Sequence, residues 1–331
     1  MDDMVYSFKL SPDWRLLQEI SVLDRFDGSW AAIEKREGQS LKQLKSIATI
    51  RSVGASTRIE GSKMTDEEVK VLLEKISISK LEDRDSQEVA GYFAALDLIS
   101  ASYKDMDITE GTIKNLHNIL LKHSNAVEAT RPDGNKQIVF QTTAPGYPTE
   151  DAMRMLIEWW HSDTETHPLV KCALFSYDLV SIHPFQDGNG RLSRLIATLL
   201  LLKQGYVWIQ YVSFEHEIEN RKGEYYQELM QSQQQRPGEN IYSWVRFFLS
   251  CLNNISVQLM DKLSKRGDIA QLNPKEKAIY AFIENHPGSR SGEIAEKLDI
   301  LLPTVKKILA GLVRNKHIVK NGAGAGTNYS L

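Results

Sequence analysis

From Pro168 to Ile182 the chain is apolar nearly all round, with Leu169, Val170, Leu174, Phe175, Leu179 and Val180 on every side of a helical wheel. A helix without a polar face belongs at the centre of a bundle. A second apolar stretch, Leu192–Lys203, follows a short polar insertion and stops at Gly205, a residue suited to helix termination. Two such helices in succession predict a mainly α fold, a helical bundle with the first of them at its centre.

The flanking sequence supplies outer helices. Apolar residues recur at helical spacing over Trp14–Glu34 and again over Leu41–Glu60, and further helices are expected at Glu67–Ile78, Glu88–Ser102, Glu110–His123 and Glu150–Trp160. Between Arg131 and Pro148 the pattern changes. "KQIVFQTT" lies between Asp133-Gly134 and Pro145-Gly146 and reads as a short β-hairpin or extended flap. Helices are expected to continue to Lys262, followed by a polar linker at 263–273. The tail, 274–331, predicts helices at Lys275–Glu284, Ser291–Leu298 and Pro303–Arg314, then two short strands around a glycine-rich turn. Three helices and a hairpin resemble a winged helix-turn-helix.

Composition narrows the function classes. The formal net charge of −3 gives no global field for nucleic acid, so any such binding needs a local basic patch. The two cysteines, Cys172 and Cys251, lie in apolar helical stretches and read as buried thiols, which favours a reducing compartment. The N-terminus lacks an apolar signal core, and the longest apolar run, Leu195–Leu202, is far short of a membrane span. A cytoplasmic protein is expected.

The polar insertion carries the chemistry. It reads "HPFQDGNGRLSR" from His183 to Arg194. Gly188-Asn189-Gly190 precedes a helix start, where N–H groups and the macrodipole attract anions. Arg191 and Arg194 add two permanent cations on the first turn, making a polyphosphate site. Asp187 fits beside phosphates when Mg²⁺ bridges them. His183 titrates near neutrality and suits a general base, while Pro184 and Phe185 fix the turn. His161, His167 and His216 read as structural, and "HEIEN" at 216 lacks the second histidine of a zinc helix.

This string resembles the signature of Fic-domain proteins, His-Pro-Phe-x-Asp/Glu-Gly-Asn-Gly-Arg-x-x-Arg, at every defined position. Most members are protein adenylyltransferases, which move AMP from ATP to a hydroxyl side chain of a target protein. The resemblance implies that His183 deprotonates the target hydroxyl and that Asp187 positions Mg²⁺ on the α- and β-phosphates. It implies that Asn189 and the backbone of Gly188 and Gly190 stabilise the phosphates, and that Arg191 and Arg194 hold the β- and γ-phosphates. "RKGEYYQEL" resembles the family's helix with paired tyrosines, so Tyr225 and Tyr226 are nucleotide contacts or core residues. "KQIVF" stands where the family has its flap, which makes Gln137, Ile138, Val139 and Phe140 candidates for docking a target strand.

A second motif lies upstream. Ser56-x-x-x-Glu60-Gly61 resembles the family's inhibitory motif, in which the glutamate pairs with the second signature arginine, here Arg194, and keeps it from the γ-phosphate. The implied layout is an inhibitory helical region at 1–100, a catalytic core at 101–262 and the tail at 274–331. The tail resembles winged-helix tails of some bacterial members, and Thr304, Lys306 and Lys307 on its third helix are candidate DNA contacts, with protein docking the competing role. The expected partners are ATP, a hydroxyl-bearing protein target and DNA through the tail; a homodimer is left open. The competing functions are transfer from another nucleotide donor, removal of AMP, and a DNA-binding transcriptional regulator whose Fic domain senses.

Overall fold

The computed structural model describes residues 8, 10–76, 81, 83–122, 143–270, 272–315 and 317–330. The expected flap, Gln137–Phe140, lies outside the described residues. The chain divides into two compact units, Met1–Val257 and Gln258–Leu331.

In the first unit the helices are α1 (Trp14–Ile59), α2 (Asp66–Lys75), α3 (Arg84–Ser102), α4 (Glu110–Leu121), α5 (Tyr147–Ser162), α6 (Pro168–Ile182), α7 (Asn189–Lys203), α8 (Phe214–Asn220) and α9 (Lys222–Gln233). A 3-10 turn at Val207–Tyr211 precedes α8, and α10 (Tyr242–Ala270) begins in this unit. Helices α6 and α7 pack on each other and form the inner layer; every residue from Leu169 to Ile182 is buried, as is every residue from Arg191 to Leu202. Each fully buried Leu or Ile there contributes about 1.5–3 kcal/mol through removal of apolar surface from water. Helix α1 packs along α3, the 3-10 turn and α8, and α3 packs on α4. Phe26 and Trp30 of α1 meet Trp208 and Tyr211 through ring contacts, joining the first half of α1 to the 3-10 turn.

The helix starts follow their polar caps. Asp13, Thr65, Asp83 and Thr109 each accept a backbone N–H at the first turn of α1, α2, α3 and α4, worth about 1 kcal/mol per cap. The two N-terminal helices expected from periodicity are both present within α1 and meet at a kink at Gly38, whose φ of 30° and ψ of −92° are non-helical. The end of α1 is a Schellman arrangement. Ser62 N–H donates to Thr57 O at 3.1 Å and Gly61 N–H to Arg58 O at 3.1 Å. Gly61 takes φ of 113°, which glycine reaches at no steric cost. The chain therefore turns sharply one residue after Glu60.

The expected linker at 263–273 is largely helical, because α10 runs on to Ala270. Ile255, Leu259 and Leu263 repeat at every fourth residue and all are buried, so the apolar stripe carries the helix past the point where the polar sequence suggested a break.

The second unit holds α11 (Pro274–Asn285), α12 (Ser291–Lys297) and α13 (Leu302–Arg314), then β1 (Val319–Asn321) and β2 (Asn328–Ser330). The strands pair antiparallel with Lys320 opposite Tyr329, and Ser289 bridges to Tyr329. Ile279, Ile283, Ile294, Val305, Leu309, Leu312 and Ile318 form its core. Helix α13 turns Val305 and Leu309 inward, leaving Lys306 and Lys307 exposed and Thr304 half-buried.

Candidate active site

The loop between α6 and α7 is built by its own polar side chains. His183 caps α6 in the left-handed region, φ 58° and ψ 57°, with its N–H donated to Leu179 O at 3.2 Å. A non-glycine residue there is uncommon, and the turn swings the imidazole off the helix axis. His183 Nδ1 lies 3.3 Å from Val180 O. A carbonyl only accepts, so the ring proton sits on Nδ1 and Nε2 is the basic nitrogen. Burial holds the imidazole pKa below its ordinary value, against the opposing effect of the Val180 hydrogen bond and of the Glu60 and Asp187 charges. His183 is therefore neutral, and able to take a proton, at neutral pH.

Asn189, the first residue of α7, closes the loop. Its Oδ1 accepts from Phe185 N–H at 3.0 Å and its Nδ2 donates to Phe185 O at 2.6 Å. Both ends of the amide are engaged with the loop backbone, so in this arrangement Asn189 shapes the anion site through Phe185. Gly188 N–H donates to Asp187 Oδ1 at 2.7 Å. The Asp187 side chain is 59% exposed, so its carboxylate is open to solvent.

The two arginines have different surroundings. Arg191 is 1% exposed; its Nη1 lies 3.3 Å from Glu88 Oε1 and its Nη2 3.3 Å from Asp187 Oδ2. Arg84 donates to the same Glu88 oxygen at 2.7 Å. Alternating charges thus run Arg84, Glu88, Arg191, Asp187, and they fix the Asp187 carboxylate. Arg194 is 2% exposed and reaches α1. Its Nε donates to Ser56 Oγ at 2.9 Å, and its Nη2 donates to Ser56 O at 3.0 Å and to Glu60 Oε1 at 2.8 Å. Burial is the largest single influence and acts against its charge, but Glu60, Tyr225 and Tyr92 together outweigh it and keep the guanidinium firmly protonated. A Cβ at Gly190 would collide with Glu60 Oε1. The Glu60 carboxylate therefore lies directly over the first turn of α7, where the helix dipole and N–H groups favour an anion.

The end of α1 is clamped further. Arg58 Nε and Nη2 donate to the two Glu219 oxygens at 2.6 and 3.0 Å. Lys222 Nζ donates to Ile59 O at 2.6 Å. Tyr225 is 3% exposed, packs on Trp244 and Phe247, and makes an edge contact with Tyr226 at 5.1 Å. Arg194 lies close enough to Tyr225 to act on its hydroxyl, so both the core role and the site role of this residue have a physical basis.

Sequence reasoning missed Glu88, His117 and Lys222. His117 of α4 stacks on Phe185 at 3.7 Å between centroids and 9° between planes, and its Nε2 donates to Asp187 O at 2.9 Å. Burial holds its pKa below the ordinary imidazole value. The signal for Glu88 was present: a carboxylate at the head of the apolar run "EVAGYF", where an unpaired charge would be costly. Nothing local marked His117 or Lys222. His161, His167 and His216 bond to Ile108 O, Asp24 and Glu219, away from the loop.

Comparison with known proteins gives the class. The Fic/DOC family matches residues 107–201, which span α4 to α7 and the motif loop. Over this stretch the chain is similar to Fic-domain proteins. It is 32% identical over 195 residues to the protein adenylyltransferase Fic of Drosophila melanogaster, a match covering 57% of this chain and 39% of that protein. The chain thus spans about two fifths of the length of such curated relatives. A Fic family protein from Desulfovibrio desulfuricans has the same fold, with TM-score 0.62, 22% identity and 98% of each chain covered. A Fic domain-containing signaling protein from Bacteroides thetaiotaomicron follows, with TM-score 0.59, 22% identity, 74% of this chain and 98% of that chain.

Proposed function

We propose that this protein is a protein adenylyltransferase, transferring AMP from ATP to a hydroxyl side chain of a target protein or of itself, and that its own α1 holds it inactive. The observation that carries the reading is the Glu60 carboxylate on Arg194, seated over Gly190. The motif loop offers a base, an anion site and an exposed carboxylate, and Glu60 occupies the anion position.

In the reaction, His183 Nε2 takes the proton of the target hydroxyl. The oxygen forms a bond to the α-phosphorus as the bond to the departing pyrophosphate breaks. The start of α7 and Arg194 stabilise the negative charge that builds on the phosphates, provided Glu60 has withdrawn. Gly188 and Gly190 let the backbone approach the phosphates, while Arg191 holds Asp187 in place. Among the described residues no group of three or more His, Cys, Asp or Glu converges to cage a metal. The donor set suits Mg²⁺, which binds through one or two carboxylates plus phosphate oxygens. Asp187 would hold the ion, which supplies charge neutralisation at the phosphates.

In this reading 1–100 supplies the inhibitory helix, 101–262 the catalytic core and 274–331 the tail. The test is incubation with α-labelled and, separately, γ-labelled ATP, comparing wild type, Glu60→Gly and Glu60→Gly/His183→Ala. AMP transfer predicts label from the α-position only, raised by Glu60→Gly and abolished by the second change. Equal labelling of wild type and Glu60→Gly rejects the inhibitory role, and γ-label retention rejects AMP transfer.

A second, separate reading concerns the tail. Lys306 and Lys307 are exposed on α13 beside Thr304, on the side opposite Val305 and Leu309. This supports DNA contact by α13. A DNA mobility shift that weakens with salt tests it, and each lysine replaced should lower the log–log salt slope by about one.

A further inference from the structure

Helix α4 braces the motif loop from outside both motifs. It packs on α3, α5 and α7. It lies so close to α3 that a Cβ at Gly91 would collide with Leu120 O. Toward the loop α4 presents His117, Leu120 and Leu121, each within 3.6 Å of where a Cβ at Gly188 would stand. His117 makes two contacts there. Its ring stacks on Phe185 at 3.7 Å between centroids, and its Nε2 donates to Asp187 O at 2.9 Å, across 70 residues of sequence.

The second contact fixes a peptide unit. Asp187 O and Gly188 N–H belong to one planar group, so they turn together. Gly188 N–H donates to Asp187 Oδ1 at 2.7 Å. Rotation of that peptide would carry the N–H away from the carboxylate. Local sterics do little to prevent it. Gly188 stands at φ 83° and ψ 0°, and glycine takes positive and negative φ about equally readily. The His117 bond to the carbonyl therefore selects one orientation. The imidazole is itself held in place by its stack on Phe185, whose backbone N–H and O are both tied by Asn189.

We infer that His117 is a positioning residue for the Asp187 carboxylate: its bond to Asp187 O sets the peptide that presents Gly188 N–H to Asp187 Oδ1. Arg191 Nη2, 3.3 Å from Asp187 Oδ2, steadies the other oxygen. The inference rests on the reading of Asp187 as the residue that would hold Mg²⁺ beside the phosphates. A carboxylate already held in one orientation loses less freedom on taking a cation, so the cation binds more tightly. His117 acts through Asp187 and takes no part in proton transfer.

Two readouts test it. The first needs no nucleotide: hydrogen exchange of the Gly188 amide, followed by NMR on the full chain as wild type, His117→Phe and His117→Gln. Phenylalanine keeps a ring against Phe185 and removes the donor. Glutamine carries an amide N–H to the region of Nε2 and removes the stack. Gly188 exchange should speed up about two- to tenfold in His117→Phe, the equilibrium equivalent of one hydrogen bond, and stay close to wild type in His117→Gln. The second readout is the initial rate of self-labelling by α-labelled ATP against Mg²⁺ concentration, in the Glu60→Gly background. His117→Phe should raise the half-saturating Mg²⁺ concentration about two- to tenfold, with a deficit that shrinks as Mg²⁺ saturates, and His117→Gln should recover most of the difference. Unchanged Gly188 exchange in His117→Phe overturns the inference. Equal impairment by the two changes overturns it too, since the stack would then carry the effect. So does a labelling deficit that is the same at every Mg²⁺ concentration, the mark of general damage to the site. Faster Gly188 exchange with an unaltered Mg²⁺ dependence rejects Asp187 as the Mg²⁺ residue instead. Glu60→Gly at the wild-type rate rejects the inhibitory reading alone, and Gly188 exchange then decides the role of His117.

Discussion

Glu60 Oε1 lies 2.8 Å from Arg194 Nη2 across 134 residues of sequence. The contact puts a carboxylate at a helix C-terminus, which by itself is unfavourable, against a cation buried near a helix N-terminus. Each charge answers the other's problem. Arg194 at 2% exposure would otherwise be a buried charge balanced only by neutral acceptors.

Removing Glu60 should therefore have two effects of opposite kind. Glu60→Gly should raise self-labelling about tenfold or more, within the usual range of coupling between two states. It should also lower stability without nucleotide by about 1–3 kcal/mol, the worth of a hydrogen bond to a charged group. Denaturant unfolding with and without Mg-ATP checks the second effect, since phosphates binding at Arg194 should restore part of the loss.

The pH dependence follows from His183. Its folded pKa is depressed by burial, so the neutral base persists below the ordinary imidazole range. Labelling by Glu60→Gly should be flat through neutrality and fall only as the pH drops through that lowered pKa. Glu60 itself raises the His183 pKa. Its removal should move the titration of the His183 ring to lower pH, measured by NMR on wild type and variant. A shift to higher pH would contradict the geometry.

Arg58 and Glu219 offer a second way to loosen α1. Their bidentate pair ties the end of α1 to α8, with both side chains about a fifth exposed. Arg58→Met should cost about 1–3 kcal/mol in unfolding free energy, because charge-assisted bonds are lost from a partly buried place. It should also raise self-labelling, by less than Glu60→Gly, since the Glu60–Arg194 contact itself remains.

Asn189 tests the loop. Asn189→Ala removes both bonds to Phe185 and should abolish most labelling in the Glu60→Gly background, with a stability loss of about 1–3 kcal/mol. Asn189→Asp keeps the acceptor for Phe185 N–H and loses the donor to Phe185 O. Intermediate activity is expected, measured as labelling rate at saturating ATP.

Much of this was legible in the residues. The His183–Arg194 string is contiguous, so its chemistry could be read without knowing the fold, and α6 was legible to the residue because a helix apolar all round has few alternatives. The start of α4 followed its cap, Thr109. The end of α10 was misread because Leu259 and Leu263 continue a buried stripe through a polar sequence.

The sequence by itself determined the apolar helices α6 and α7, the motif loop and the turn at Gly61, because each depends on neighbours within a few residues. The tertiary structure alone decided which partners those residues meet. It put Arg191 between Glu88 and Asp187, His117 against Phe185, and Arg194 against Ser56. These pairings join separate helices, and a hydrogen bond between distant residues exists only once packing has brought its donor and acceptor within about 3 Å.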